Sequence, residues 1–66
     1  MGNAKTSVNG WRDWIDTYHD LKGIGFTDDE TQAMFQFVKR HDDITIGRVK
    51  LEYRVTDAMF QITIKI

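Results

Sequence analysis

The chain has 66 residues, of which 41% are hydrophobic and 12% aromatic, and its 9 basic and 10 acidic side chains leave a formal net charge of -1. That length admits a single domain close to the lower limit for folding on one core, and the absence of cysteine excludes a disulfide staple, a thiolate zinc site and a cysteine nucleophile. The balanced charge gives no general attraction to nucleic acid or anionic membranes, and no apolar run approaches the roughly 20 residues of a membrane span.

Residues 1–9 are small and polar and read as a flexible lead-in to a single α+β domain over residues 10–66, with Lys5 to Val8 able to add a short strand. Met1 to Gly10 lacks the apolar stretch of a signal peptide, so a cytoplasmic location is expected. Gly2 with Thr6 matches the short pattern for N-myristoylation. The basic cluster that stable anchoring needs is missing nearby, and an ordinary chain start is the plainer reading.

Trp11, Trp14, Ile15, Tyr18 and Leu21 fall at the spacing of one helical face, opposite Asp13, Asp16 and Asp20. This predicts a first amphipathic helix, capped by Asn9 or Gly10 and ended at Gly23 after Lys22. Ile24 and Phe26 then plug the gap between two helices. The second helix opens with a capping box, Thr27 as N-cap and Glu30 three residues on, and Asp28, Asp29 and Glu30 suit the positive end of its dipole. It is expected to run to about His41, with Ala33, Met34, Phe37 and Val38 inward and Lys39, Arg40 and His41 in the last turn. Phe35 then projects outward among Thr31, Gln32, Lys39 and Asp42.

From Gly47 the apolar period changes to two. Val49, Leu51, Tyr53 and Val55 alternate with charges, and Phe60, Ile62, Ile64 and Ile66 form a second alternating run. A four-residue loop from Thr56 to Met59 pairs Val55 with Phe60, Tyr53 with Ile62, Leu51 with Ile64 and Val49 with Ile66. That register sets Lys50 opposite Lys65. Ile44 and Ile46 have the opposite parity, which assigns Gly47 to a bulge or kink. The expected architecture is α-α-β-β: two amphipathic helices packed on a C-terminal antiparallel hairpin. A lone hairpin is marginal, so two copies are expected to pair through Phe60, Ile62 and Ile64 into a four-stranded sheet.

Catalytic constellations are weak. Ser7 is the single serine, His19 and His41 lie on different helices, and the acidic groups read as a solvated helix face and as caps. No calcium-loop spacing or phosphate-cradling glycine loop occurs, so neither enzyme activity nor a cofactor or metal is expected. The surface offers Phe35 as an aromatic anchor beside Lys39, and a basic hairpin face of Arg48, Lys50, Arg54 and Lys65. Their plain reading is a stray exposed aromatic and a soluble sheet face. Their functional reading is a contact surface for another protein, with nucleic acid as the alternative through a winged-helix-like arrangement of helix, turn, helix and hairpin. The acidic first turn of the second helix opposes that alternative. By analogy of size and build alone, the expectation is a small adaptor or inhibitor of the kind carried by phages and other mobile elements.

Overall fold

The computed structural model describes residues 6–65, with side chains from Gly10 onward. Six elements follow one another: β1 (Thr6–Arg12), α1 (Trp14–Ile24), α2 (Asp28–His41), β2 (Asp43–Ile46), β3 (Val49–Arg54) and β4 (Met59–Lys65). The strands form one antiparallel sheet in the order β1-β4-β3-β2. Both helices pack on one face of it. Among the described residues no helix is long and apolar enough to cross a membrane.

The α+β class and the two-helix count match the sequence reading, but the sheet is built within one chain. β1 adds itself to β4, pairing Thr6 with Lys65 and Arg12 with Phe60. The strand Phe60 to Ile64 is therefore interior. Phe60, Ile62 and Ile64 are corrected from a dimer edge to the centre of the sheet, flanked by β1 and β3. The hairpin likewise is not a projecting wing, because β3 and β4 are the middle strands beneath the helices. Residues 1–5, and Gly2 of the acylation pattern with them, lie outside the described residues.

Trp11 belongs to β1, not to α1. Gly10, at φ 77, falls in the irregular step of β1 between Val8 and Trp11 and interrupts any helix there. Asp13 is the true N-cap: its Oδ1 accepts from the Asp16 N–H at 2.9 Å. The end is also later than Gly23, at Gly25, whose φ of 125 only glycine adopts without strain and whose N–H reaches the carbonyls of Leu21 and Lys22. With its first turn uncovered, α1 leaves Trp14 59% and Ile15 49% exposed, and buries Thr17 and Leu21 instead.

The start of α2 is as expected. Thr27 Oγ1 accepts from the Glu30 N–H while Glu30 Oε1 accepts from the Thr27 N–H, and the helix ends at His41. Its buried face is Thr31, Met34, Phe35 and Val38, a rotation from the predicted stripe that carries Phe35 inward and leaves Ala33 and Phe37 exposed. Thr31 is the reason the stripe misleads. Its hydroxyl donates to the Thr27 carbonyl at 2.8 Å, so a polar residue enters the core with its donor satisfied. Thr17 does the same to the Asp13 carbonyl in α1. Each helix thus tucks a threonine beneath its own cap.

The β3–β4 hairpin pairs Tyr53 with Phe60, Leu51 with Ile62 and Val49 with Ile64, two residues away from the predicted register. A slip of two keeps every side chain on its expected face. The loop is four residues long as predicted, but spans 55–58, with Ala58 at φ 54. Lys50 now faces Thr63, so the predicted opposition of Lys50 and Lys65 does not occur. Gly47 is neither bulge nor kink. It is the first residue of the two-residue β2–β3 turn, at φ 60, and the turn places Ile46 beside Val49 and Ile44 beside Leu51 on the helix side. The core is Leu21, Met34, Phe35, Val38, Val49, Leu51, Phe60 and Ile62, with Tyr18, Phe26, Ile44, Tyr53 and Ile64 packed around it.

Candidate interaction surface

No described element covers the second face of the sheet. Its side chains run in rows across the strands, since residues paired across a ladder point the same way. Thr45, Lys50 and Thr63 make one row, and Asp43, Glu52, Gln61 and Trp11 the next. Arg54 and Met59 make a third. Charge is sorted along the strands accordingly.

At the basic end, Thr45, Arg48, Lys50, Thr63 and Lys65 line a depression of about 230 Å³ above the Gly47 turn. The Lys65 N–H donates to the Arg48 carbonyl at 2.9 Å, which ties the turn to β4 and brings two cations together. Lys50 Nζ stands 3.9 Å from Asp43 and 4.0 Å from Glu52, long contacts across exposed surface that add little to stability. Arg48 and Lys65 have no ion-pair partner among the described residues. Three cations and two hydroxyls therefore line one shallow basin.

Arg54 lies at the other end and is engaged differently. Its guanidinium grips Asp57 through Nε at 3.0 Å and Nη2 at 2.6 Å, which raises the pKa of the arginine and lowers that of the aspartate. The same group sits 4.3 Å from the centre of the Trp11 ring, a cation–π contact. Arg54 is thereby spent on holding the hairpin loop and β1, and does not belong to the basin.

Of the residues picked out from sequence, Arg48, Lys50 and Lys65 are brought together. Lys39 is exposed on α2, on the far side of the sheet. Phe35 is the main correction. It is 8% exposed, meets Phe60 edge-on at 4.8 Å and stacks on Tyr18 at 6.4 Å, so it is core and not an outward anchor. The exposed phenylalanine of α2 is Phe37, at 43%, with its ring 4.4 Å from that of His41. Two residues along the helix, at about 100° each, turn Phe37 to the opposite flank of α2 from Phe35, which stacks on Tyr18 of α1, and α2 itself packs on β2 and β3. On that same side of the sheet stands Ile46, 41% exposed. The sequence reading missed this pair because the wheel was turned the wrong way. A partial signal was present: Ile44 and Ile46 alternate, as residues of a strand with one apolar face do.

A separate polar cluster locks the helices to each other. Asp28, in the first turn of α2, accepts hydrogen bonds from the Tyr18 hydroxyl and from Lys22 Nζ, the latter at 2.8 Å. Those bonds raise the pKa of Tyr18 and of Lys22 and lower that of Asp28. All three groups are accounted for by structure.

Comparison of the chain with protein families, with curated proteins and with solved structures found no match.

Proposed function

We propose that this chain is a non-enzymatic protein-interaction module, a small adaptor or inhibitor that binds an acidic segment of another protein at the basic end of its open sheet face. The convergence of Arg48, Lys50 and Lys65 on one depression carries this reading. A soluble sheet face needs charge, but scattering it would serve solubility equally well. Here two of the three cations lack a partner among the described residues, beside a free edge strand.

The same basin favours nucleic acid as the second reading, since phosphates are also met by lysine and arginine. The row of Asp43 and Glu52 immediately beside it works against a polyanion that must track across the sheet. The two readings part in a binding experiment. Polyglutamate and a mixed-sequence oligonucleotide are titrated against the protein, with backbone amide shifts as the readout. Shifts at Gly47, Arg48 and Lys65 with polyglutamate, lost in the double variant Arg48→Glu/Lys65→Glu with its fold intact, support the protein reading. Tight oligonucleotide binding that weakens steeply with salt supports the other and removes the first.

A further inference from the structure

The free edge of β2 adjoins both the basin and the Phe37 flank of α2. Among the described residues β2 pairs only with β3. Antiparallel ladders alternate the direction of their backbone groups. The Tyr53 N–H bonds the Asp42 carbonyl at 2.8 Å, so that carbonyl and the backbone groups of Ile44 and Ile46 are directed toward β3. Asp43 and Thr45 then direct theirs outward, away from the sheet. Such an edge is a template for another strand unless something blunts it, and β2 has no proline or lysine of its own, its one charge being Asp43 at the end away from the Gly47 turn.

The two sides of this edge differ in chemistry. Above it, on the helix side, stand Ile44 and the exposed Ile46, and the exposed ring of Phe37 is on the flank of α2 turned away from α1. Below it, Thr45 is uncharged and Lys50 is its cross-strand neighbour, with Arg48 and Lys65 at the rim of the same basin. A strand laid along β2 alternates its own side chains between these two sides.

We infer that β2 is the docking edge for an extended partner segment with an apolar–acidic–apolar pattern. The acidic residue lies across from Thr45, where it reaches Lys50, and the apolar residues lie across from Ile44 and Ile46, against Phe37. This rests on the protein-binding reading above and gives it a partner class: strand addition, with main-chain hydrogen bonds for affinity and alternate side chains for specificity. A second copy of this chain fits less well. Self-pairing centred on Thr45 keeps the faces matched but adds a second set of the same cations, Arg48, Lys50 and Lys65, on one side, with each Lys50 already beside its own Asp43.

The test uses a short synthetic valine–glutamate peptide with one Val-Glu-Val segment flanked by threonines, so that no second acid meets Asp43. Beside it stand a block-ordered peptide of the same composition, with the glutamate moved to one end, and the valine–lysine counterpart of the first. Amide exchange and chemical shifts are followed on the intact protein. The inference expects the valine–glutamate peptide to bind and to slow exchange at Asp43 and Thr45, and the block-ordered and lysine peptides to bind at least about tenfold more weakly, the weight of one or two lost interactions. Thr45→Pro removes only an outward N–H and should abolish binding. An N-methylated valine–glutamate peptide asks the same question without touching the protein's fold, and should also fail. Equal binding of the block-ordered peptide, with shifts confined to the basin, overturns strand addition while leaving the acidic-segment reading standing. Failure of every acidic peptide overturns both. A concentration-dependent dimer that protects Thr45 assigns the edge to a second copy and overturns the proposed occupant.

Discussion

Phe35 and Phe37 are two residues apart on one helix and carry opposite burdens. Phe35 joins Tyr18, Phe60 and Tyr53 in a continuous aromatic cluster, with Tyr53 and Phe60 4.9 Å apart. Phe35→Ala should cost about 3–5 kcal/mol. A core this small supplies only about 3–5 kcal/mol in total, so urea titration should find that variant largely unfolded. Phe37→Ala should stay within about 0.5 kcal/mol of the parent, as exposed substitutions do. The periodicity of the sequence could not order this pair. Met34 and Val38 belong to either wheel, and the deciding residue was Thr31, whose polarity argued for solvent while its hydroxyl was already committed to Thr27.

Asp28 sets a pH edge at this same scale. Its carboxyl titrates below its ordinary value because Lys22 and then Tyr18 hydrogen-bond to the charged form. A lowered folded-state pKa contributes stability above the unfolded value, and the contribution is lost as pH falls through the folded one. The clip between α1 and α2 should therefore hold at neutral pH and weaken below about pH 4. Tyr18 and Lys22 are shifted upward, so their share is full below their ordinary values and declines at strongly alkaline pH as they deprotonate. Asp28→Asn should flatten the acid limb of a stability–pH profile followed by thermal melting, to which Asp57, also lowered by its arginine, contributes with the same sign.

At the scale of elements, the caps were the most legible feature. The capping box at Thr27 was readable because both partners are close in sequence, and Thr27→Ala should cost about 1 kcal/mol in urea titration. The start of α1 was not readable in the same way. Trp11 satisfies the helical spacing of Trp14, Tyr18 and Leu21, and only the pairing of β1 with β4, remote in sequence, reveals it as a strand residue. The hairpin register slipped for a related reason. Period-two patterning is blind to a shift of two, and the Arg54–Asp57 pair that closes the observed loop has no signature in that pattern. Gly47 makes a sharper test of turn geometry. A β-carbon there would meet nothing within 4 Å, so Gly47→Ala should cost only the left-handed backbone penalty, about 1–2 kcal/mol.

For the whole molecule, the sheet order explains how a short chain does without a disulfide. The outer strands β1 and β2 shield β4 and β3, the strands that carry most of the apolar side chains of the sheet. Deleting residues 1–12 should bare the β4 edge from Phe60 to Ile64 and drive self-association, visible as a mass increase by light scattering. The basic basin belongs to this scale as well. Arg48, Lys50 and Lys65 were each legible as outward residues from alternation, but their meeting at one end depended on the Gly47 turn and on the register of β4. The strand-forming edge at β2 was hidden for the same reason, since an edge is a property of neighbours.

The pairing of β1 with β4 also governs when the protein can form. Thr6 and Lys65 are partners, so the ladder that finishes the sheet joins positions at opposite ends of the described chain. Contacts this remote delay folding, because a long loop must close before they repay its entropy. During synthesis β1 is made before β4, so the sheet closes only after the last strand is available.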